Sequence, residues 1–338
     1  MIHYDASFDE GVLEPTTAAL QRVFQTRHEV IVLPGSGRTG LEAAAMSIVD
    51  PGDPVLVVIA GVFGALMREI VGRVGAAVTE FVVEPGRGLD LDRLEAVARR
   101  VRPKAITLVH NETSTGATYP VAAVGDIARG LNALFLLDVI SSVAGIDVRP
   151  DDWNVDLCMG GSQKCLAAPL GLALVAVSER AWTTMAARRH RPSSYVYDLL
   201  RWKQGWIPAV RGGGVPSGGP RLQPVSMPTH LIAALRAAVS LVLEEGLPNR
   251  FQRHAVAAGA LQAGLTAMGL AMFPEESLRS NTVSCAAVPS NIVPAELVAG
   301  VRDGHGILIG TGLDQLRASV IRMGTMGLTA SPRYVLPT

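Results

Sequence analysis

Val30–Val49 reads VIVLPGSGRTGLEAAAMSIV. Four apolar residues, Val30–Leu33, run into a turn broken by Pro34, Gly35 and Gly37, and Thr39–Val49 then carries apolar residues at helical spacing. The alternation recurs along the first two thirds of the chain. Val/Ile/Leu-rich runs stand at Val55–Ala60, Val78–Val83, Ile106–His110, Leu134–Asp138, Leu157–Gly160 and Leu172–Val177, and helical stretches at Val62–Val74 and Leu91–Val101. Runs that are apolar on both faces suit strands covered by helices on both sides. Strand, helix, strand repetition means parallel crossovers. The reading is an α/β fold of three layers around a mostly parallel, seven-stranded sheet.

Arg211–Pro220 (RGGGVPSGGP) is a cluster of breakers and reads as a loop. Helices are expected at about Pro228–Glu245 and Arg250–Met268. From Ala271 onward, strand-like pieces (Thr282–Val288, Ile307–Ile309, Ala318–Met323) surround a helix near Pro294–Arg302, which suggests a smaller α+β domain. The expected division is a large domain over 1–235 and a small one over 236–338.

The 338 residues carry 30 basic against 30 acidic side chains, which favours neither nucleic acid nor an anionic membrane as partner. Cys158, Cys165 and Cys285 form no CxxC pair and no metal-type cluster, as suits a reducing compartment. The opening MIHYDASFDE is neither a signal peptide nor a basic transit segment, and every long apolar run is broken. The expectation is a cytosolic protein without metal or membrane span.

Gly160–Gly171, GGSQKCLAAPLG, places Lys164 just after an apolar strand. A lysine there can form an imine with an aldehyde cofactor, although a surface lysine in a loop reads the same locally. LFLLD, Leu134–Asp138, is a buried strand ending in a carboxylate, and ligands of parallel sheets gather outside the strands' carboxyl ends. Asp138 there can pair with a protonated pyridine nitrogen. A helix cap or a structural ion pair is the commoner fate of such an aspartate. Backbone N–H groups at the start of the Thr39 helix, with the Ser36 hydroxyl, form an anion site suited to a phosphate. The alternative is a tight βα connection; the glycine spacing is not that of a dinucleotide-binding turn. His110–Gly116 (HNETSTG) is polar and follows another strand, and Phe63 is placed to stack on an aromatic ring or to pack in the core. Arg322, in the apolar run IRMGTMG, needs an anionic partner: a substrate carboxylate or an internal one.

In their order, GSGRTGLEAA, AGVFG, ETSTG, LDVISSVAG, GSQKCLAAPLG and RMGTMG resemble the class V, fold-type-I aminotransferases that use pyridoxal 5′-phosphate (PLP). The nearest likeness is to the alanine/serine–glyoxylate group, and the pairing of Ile309-Gly310-Thr311 with Arg322–Gly327 is similar to its ureidoglycine–glyoxylate branch. The resemblance implies that Lys164 carries the cofactor as a Schiff base and that Asp138 holds the pyridine nitrogen. It implies that Phe63 stacks on the ring, Gln163 lies by its phenolic oxygen, and Ser36, Gly37 and Arg38 hold the phosphate. Ser114 would also touch the cofactor, and Arg322 would bind the substrate carboxylate. The family's tyrosine and threonine from a neighbouring subunit of the homodimer are here Gln223 and Ser226. The expected reaction moves an amino group from a small amino acid to a 2-oxo acid, glyoxylate or pyruvate, by ping-pong steps. Family members generally begin with a glycine/proline-rich arm and finish with a further helix. This sequence opens in the region after that arm and stops at SPRYVLPT, so either it is incomplete or its site is built differently. A cysteine desulfurase-like lyase or a non-catalytic scaffold on the same fold stand as alternatives.

Overall fold

The computed structural model describes residues 6–206 and 223–338, so the expected loop at Arg211–Pro220 lies outside the described residues. The chain enters through α1 (Ala6–Phe8), a π-helical turn (Asp9–Leu13) and α2 (Glu14–Val23). Strands and helices then alternate: β1 (Glu29–Pro34), α3 (Gly37–Ile48), β2 (Pro54–Ile59), α4 (Val62–Val74), β3 (Ala77–Val82), α5 (Leu91–Val101) and β4 (Ala105–Val109). A small hairpin, β5 (Asn111–Glu112) and β6 (Ala117–Thr118), precedes α6 (Val121–Gly130), β7 (Leu134–Asp138), β8 (Leu157–Gly161), β9 (Leu172–Val177), α7 (Glu179–Ala186) and α8 (Leu199–Trp206). The rest comprises α9 (Thr229–Glu245), α10 (Leu247–Ala267), β10 (Val283–Ala287), α11 (Pro294–His305), β11 (Gly310–Thr311), β12 (Val320–Gly324) and α12 (Pro332–Val335).

All seven expected strands form one sheet, in the order β1-β9-β8-β7-β4-β2-β3. Every residue of β4, β7, β8 and β9 is buried, which is why these runs are apolar on both faces. The sheet is parallel from β3 to β8, and β9 runs against both of its neighbours, β8 and β1. Six strands therefore point one way and bring their carboxyl ends to one edge. Local signals set the helices. Asp90 caps α5 by accepting from the Arg93 amide at 2.9 Å, and Gly75 closes α4 at φ +101°, where a side chain would be strained.

The large core extends through Ile232, Leu235, Val239 and Val242 of α9. A second, smaller core gathers Leu261, Leu265, Ala286, Ile321 and Met323 around the antiparallel sheet β10-β12-β11. Ile307–Ile309, expected as a strand, is not one; α11 runs on to His305 and pairing begins only at Gly310. No helix among the described residues is long and apolar enough to cross a membrane. Helix α6 (VAAVGDIARG) was not expected, because its two glycines mask the helical pattern. Gly125 has a packing reason: a Cβ there would lie 1.9 Å from the Trp153 carbonyl oxygen. Nothing lies within 4 Å of a Cβ added at Gly130. Gly125→Ala should lower stability by about 2–3 kcal/mol, since backbone must move. Gly130→Ala should be neutral or stabilising by up to about 1 kcal/mol. Urea midpoints at unchanged m-value check both, and equal effects would contradict this packing.

Candidate active site

The carboxyl ends of β1, β2, β4, β7 and β8 surround a cavity of about 270 Å³. Its walls include Ser36, Gly37, Arg38, Phe63, Asp138, Gln163 and Lys164, so seven of the side chains and turns expected from sequence meet in one place. All arrive by a similar route: Asp138 is the last residue of β7, and the others follow within a few residues of the ends of β1, β2 and β8.

Ser36 is the N-cap of α3, and its side chain caps no amide of its own helix. The hydroxyl and the first amides of a twelve-residue helix are thus left to face the cavity, where partial positive charge suits an anion. Gly37 has to lack a side chain, since a Cβ would lie 2.5 Å from Ile140 Cδ1. Across the cavity, half-buried Phe63 opens α4 and offers a flat apolar face.

Asp138 is 6% exposed. Its Oδ1 accepts from the Ile140 amide at 2.8 Å, and among the described residues Oδ2 accepts no hydrogen bond. Burial pushes its carboxyl up to about 7, against the pull of the Ile140 amide and of Lys164, with Glu112 adding to the rise. A cation brought against Oδ2 would reverse that shift. Gln163 carries a buried Oε1 without a partner among the described residues. Ser36, Gly37 and Arg38 would suit a phosphate, Phe63 and Asp138 a planar cationic ring, and the Lys164 amine an aldehyde on the same ligand.

Lys164 lies in the ten-residue connection between β8 and β9, whose antiparallel pairing replaces the expected crossover. Arg250 of α10 pins this loop: Nη2 donates to the Cys165 carbonyl at 2.5 Å and Nε to the Ala144 carbonyl at 2.9 Å. Arg250 and Arg253 share Glu245, each at 2.6 Å, and Arg253 Nη1 holds the Gly327 and Ala330 carbonyls at 2.8 and 2.7 Å. Gly327 sits so close that its Cβ would lie 2.8 Å from Ala167 Cβ. The Lys164 loop and the RMGTMG segment are therefore one packed unit.

Arg322 donates Nε to the Thr311 carbonyl at 2.9 Å and Nη1 to the Thr113 carbonyl at 3.0 Å. Thr113 is itself part of the cavity wall, so the guanidinium stands behind it, without an ion pair among the described residues. The Ser114 side chain does not line the cavity. Fully buried, it donates to Glu112 Oε1 at 2.5 Å and accepts from the Val62 amide at 3.1 Å. Ser226 is exposed and also outside the cavity; Gln223 is buried. Asn111 and Thr113, from the polar His110–Gly116 segment of which Ser114 was the residue singled out, line the cavity, and so does Ser141, which was not expected there. They directly follow β4 and β7, and position after a strand end was the signal available.

A family description, aminotransferase class-V, matches residues 10–329. An (S)-ureidoglycine–glyoxylate transaminase of Bacillus subtilis (strain 168) is 34% identical over 352 residues, covering 98% of this chain and 82% of that protein. The crystal structure of an alanine–glyoxylate aminotransferase from Nostoc sp. superposes with a TM-score of 0.94 at 30% identity, covering 100% of this chain and 86% of that one. A pyridoxamine–pyruvate transaminase of Mesorhizobium japonicum is 29% identical over 336 residues, covering 98% of this chain and 82% of that protein. Sequence likeness over nearly the whole length and a cavity whose groups suit pyridoxal phosphate agree: the chain belongs to the aminotransferase class-V family and is a PLP-dependent transaminase.

Proposed function

We propose that this enzyme moves the amino group of a small amino acid, of the alanine, serine or ureidoglycine type, to glyoxylate or pyruvate in two half-reactions. One observation carries the reading: Lys164, Asp138 and the start of α3 face a single cavity at the carboxyl edge of the sheet. The relatives' acceptors, glyoxylate and pyruvate, set the substrate class.

When bound, pyridoxal phosphate supplies an aldehyde to take up the amino group and an electron-poor ring to delocalise charge. Ser36, Gly37 and Arg38 hold its phosphate at the start of α3, and Phe63 covers the ring. Asp138 keeps a proton on the ring nitrogen by presenting a buried anion to it. The Lys164 amine, which faces the cavity, would serve at Nζ as the base that takes the proton from the substrate α-carbon. Arg322, held behind Thr113, would draw the substrate carboxylate to that wall of the cavity, and the same groups would serve the second half-reaction in reverse.

A desulfurase needs a reactive thiolate. Cys158, Cys165 and Cys285 are all buried, and burial pushes Cys165 and Cys285 up to about 12 and Cys158 well above its usual range. That chemistry has no nucleophile here among the three cysteines.

The proposal extends to a cytosolic homodimer in which Gln223 and Ser226 reach the neighbouring subunit's phosphate site. Gln223 supports it: neither atom of its buried amide has a partner among the described residues. The two cores support a large and a small domain, with the change falling inside α10 rather than at residue 235.

Borohydride reduction of the enzyme incubated with pyridoxal phosphate, followed by peptide mass spectrometry, should place the adduct on Lys164; an adduct elsewhere, or none, overturns the assignment. Lys164→Ala should lower kcat by on the order of 10³-fold or more, and Asp138→Asn by on the order of 10²-fold or more, with alanine and glyoxylate as assay substrates. Rates within threefold of the parent would remove either residue from its role.

The cofactor-free protein should show the cost of Asp138 in its pH dependence. Burial holds the carboxyl at about 7 in the fold, against an ordinary value of 3.8. The folded state therefore holds its proton longer than the unfolded one, and stability falls as pH rises from about 4 to 7, by roughly 4 kcal/mol in all. His110 and His254, lowered to about 4 chiefly by burial, act oppositely, losing stability as pH falls from 6.5. Both remain in Asp138→Asn, so the difference isolates the carboxyl. The cofactor-free variant should match the parent near pH 4 and exceed it increasingly up to pH 8 in denaturant unfolding. A difference that does not change with pH would contradict a charged, unpaired Asp138.

A further inference from the structure

Glu112 is fully buried, and its carboxylate accepts four hydrogen bonds. Oε2 takes the Phe63 and Gly64 amides at 3.1 and 3.2 Å, and Oε1 takes the Ser114 amide at 3.1 Å and the Ser114 hydroxyl at 2.5 Å. The Ser114 hydroxyl in turn accepts from the Val62 amide at 3.1 Å. The first three amides of α4 are thus capped from another part of the chain. They need it, because the N-cap position is Gly61, which has no side chain to offer. Gly61 is also what lets the loop approach: a Cβ there would lie 2.4 Å from Ser114 Oγ and 2.6 Å from Glu112 Cδ.

The residue has a second attachment. Its backbone carbonyl takes the Thr115 and Gly116 amides at 3.1 and 2.9 Å and so closes the 112–116 loop. The next residue, Thr113, lines the cavity and holds Arg322 through its carbonyl. A single side chain therefore ties the cavity wall that carries Phe63 to the loop on which Arg322 of β12 is anchored. Burial raises the Glu112 carboxyl, and the four donors pull it back.

We propose that Glu112 is a positioning residue for both halves of the site: it sets Phe63 against the cofactor ring and Thr113 behind the substrate carboxylate. This rests on the functional reading above. Glu112→Gln keeps the shape, but its one carbonyl oxygen cannot accept from both α4 and the Ser114 amide, so one attachment is lost. Glu112→Asp keeps the charge with a shorter reach and should recover part of the function.

The test uses the full chain, with and without pyridoxal phosphate. Amide hydrogen exchange of the cofactor-free Glu112→Gln variant should rise at least tenfold at Phe63, Gly64 or Ser114, while protection of β4 and β7 stays at the parent value. The Kd for pyridoxal phosphate should rise about 10- to 100-fold, the circular dichroism band of the bound cofactor should change, and KM for the oxo acid should rise more than kcat falls. Glu112→Asp should lie between the parent and Glu112→Gln. Should Glu112→Gln not fold, Ser114→Ala removes the hydroxyl link alone and should move every readout in the same direction by a smaller factor. A folded Glu112→Gln or Ser114→Ala with cofactor Kd, dichroism band and local exchange within twofold of the parent overturns the proposal. A parent enzyme that takes no adduct at Lys164 fails the functional reading instead, and the two failures are read separately.

Discussion

Burying a carboxylate without a cation against it costs several kcal/mol, and the site is arranged around one such group. Asp138 ends a strand whose five residues are all buried, and it sits with one oxygen on the Ile140 amide and the other unpartnered among the described residues. By itself that arrangement is adverse, and burial raises the carboxyl to about 7. In the proposed site a protonated ring nitrogen beside it would turn the same burial to advantage, because low polarity strengthens the pairing. Cofactor and carboxylate would then stabilise each other's charged forms, with the other groups around the cavity supplying the remaining contacts.

A lysine that is to carry a cofactor would have to be held in place, and a ten-residue loop does not supply that alone. Here the loop is braced from behind. Arg250 holds two carbonyls on the large-core side, Arg253 holds two on the C-terminal side, and Glu245 joins the arginines. Burial of Arg250 at 6% exposure is tolerable because its charge is matched by Glu245 and its other donors are taken by carbonyls. Gly327, at φ +60°, can press on the lysine loop only because it has no side chain. Two motifs far apart in sequence, GSQKCLAAPLG and RMGTMG, are thereby parts of one support.

Much of this was legible. All seven Val/Ile/Leu-rich runs were strands; the inner ones are apolar on both faces because helices cover both sides, whereas the edge strand β3 admits Thr79 and Glu80 and is largely exposed. The residues following those runs formed the cavity, because six aligned strands deliver their ends to one edge. The direction of β9 was not read, although ten residues without a helix are too few for a parallel crossover, so the information was present in the spacing. Ser114 and Thr113 were indistinguishable, since neighbouring side chains of a tight loop point opposite ways and only the β5–β6 hairpin decides which faces the ring. Helices α6, α7 and α8 are short or glycine-bearing and depend on packing more than on pattern.

Arg322 shows how a question open in the sequence is closed by hydrogen bonds. A half-buried guanidinium in an apolar strand has either an internal carboxylate or an external anion as its partner. Its nearest acceptors are two carbonyls, Thr311 and Thr113, which orient the group but leave its charge unmatched, and burial lowers its pKa accordingly. The register of the small sheet explains the first of these contacts: β11 pairs with β12 so that Gly310 stands opposite Arg322 and Thr311 comes within reach. A positive charge that is oriented and has no ion pair among the described residues, beside a cavity that also holds a lysine and a helix start, suits an anion. In the reaction proposed above that anion would be the substrate carboxylate, which every amino acid and oxo acid carries.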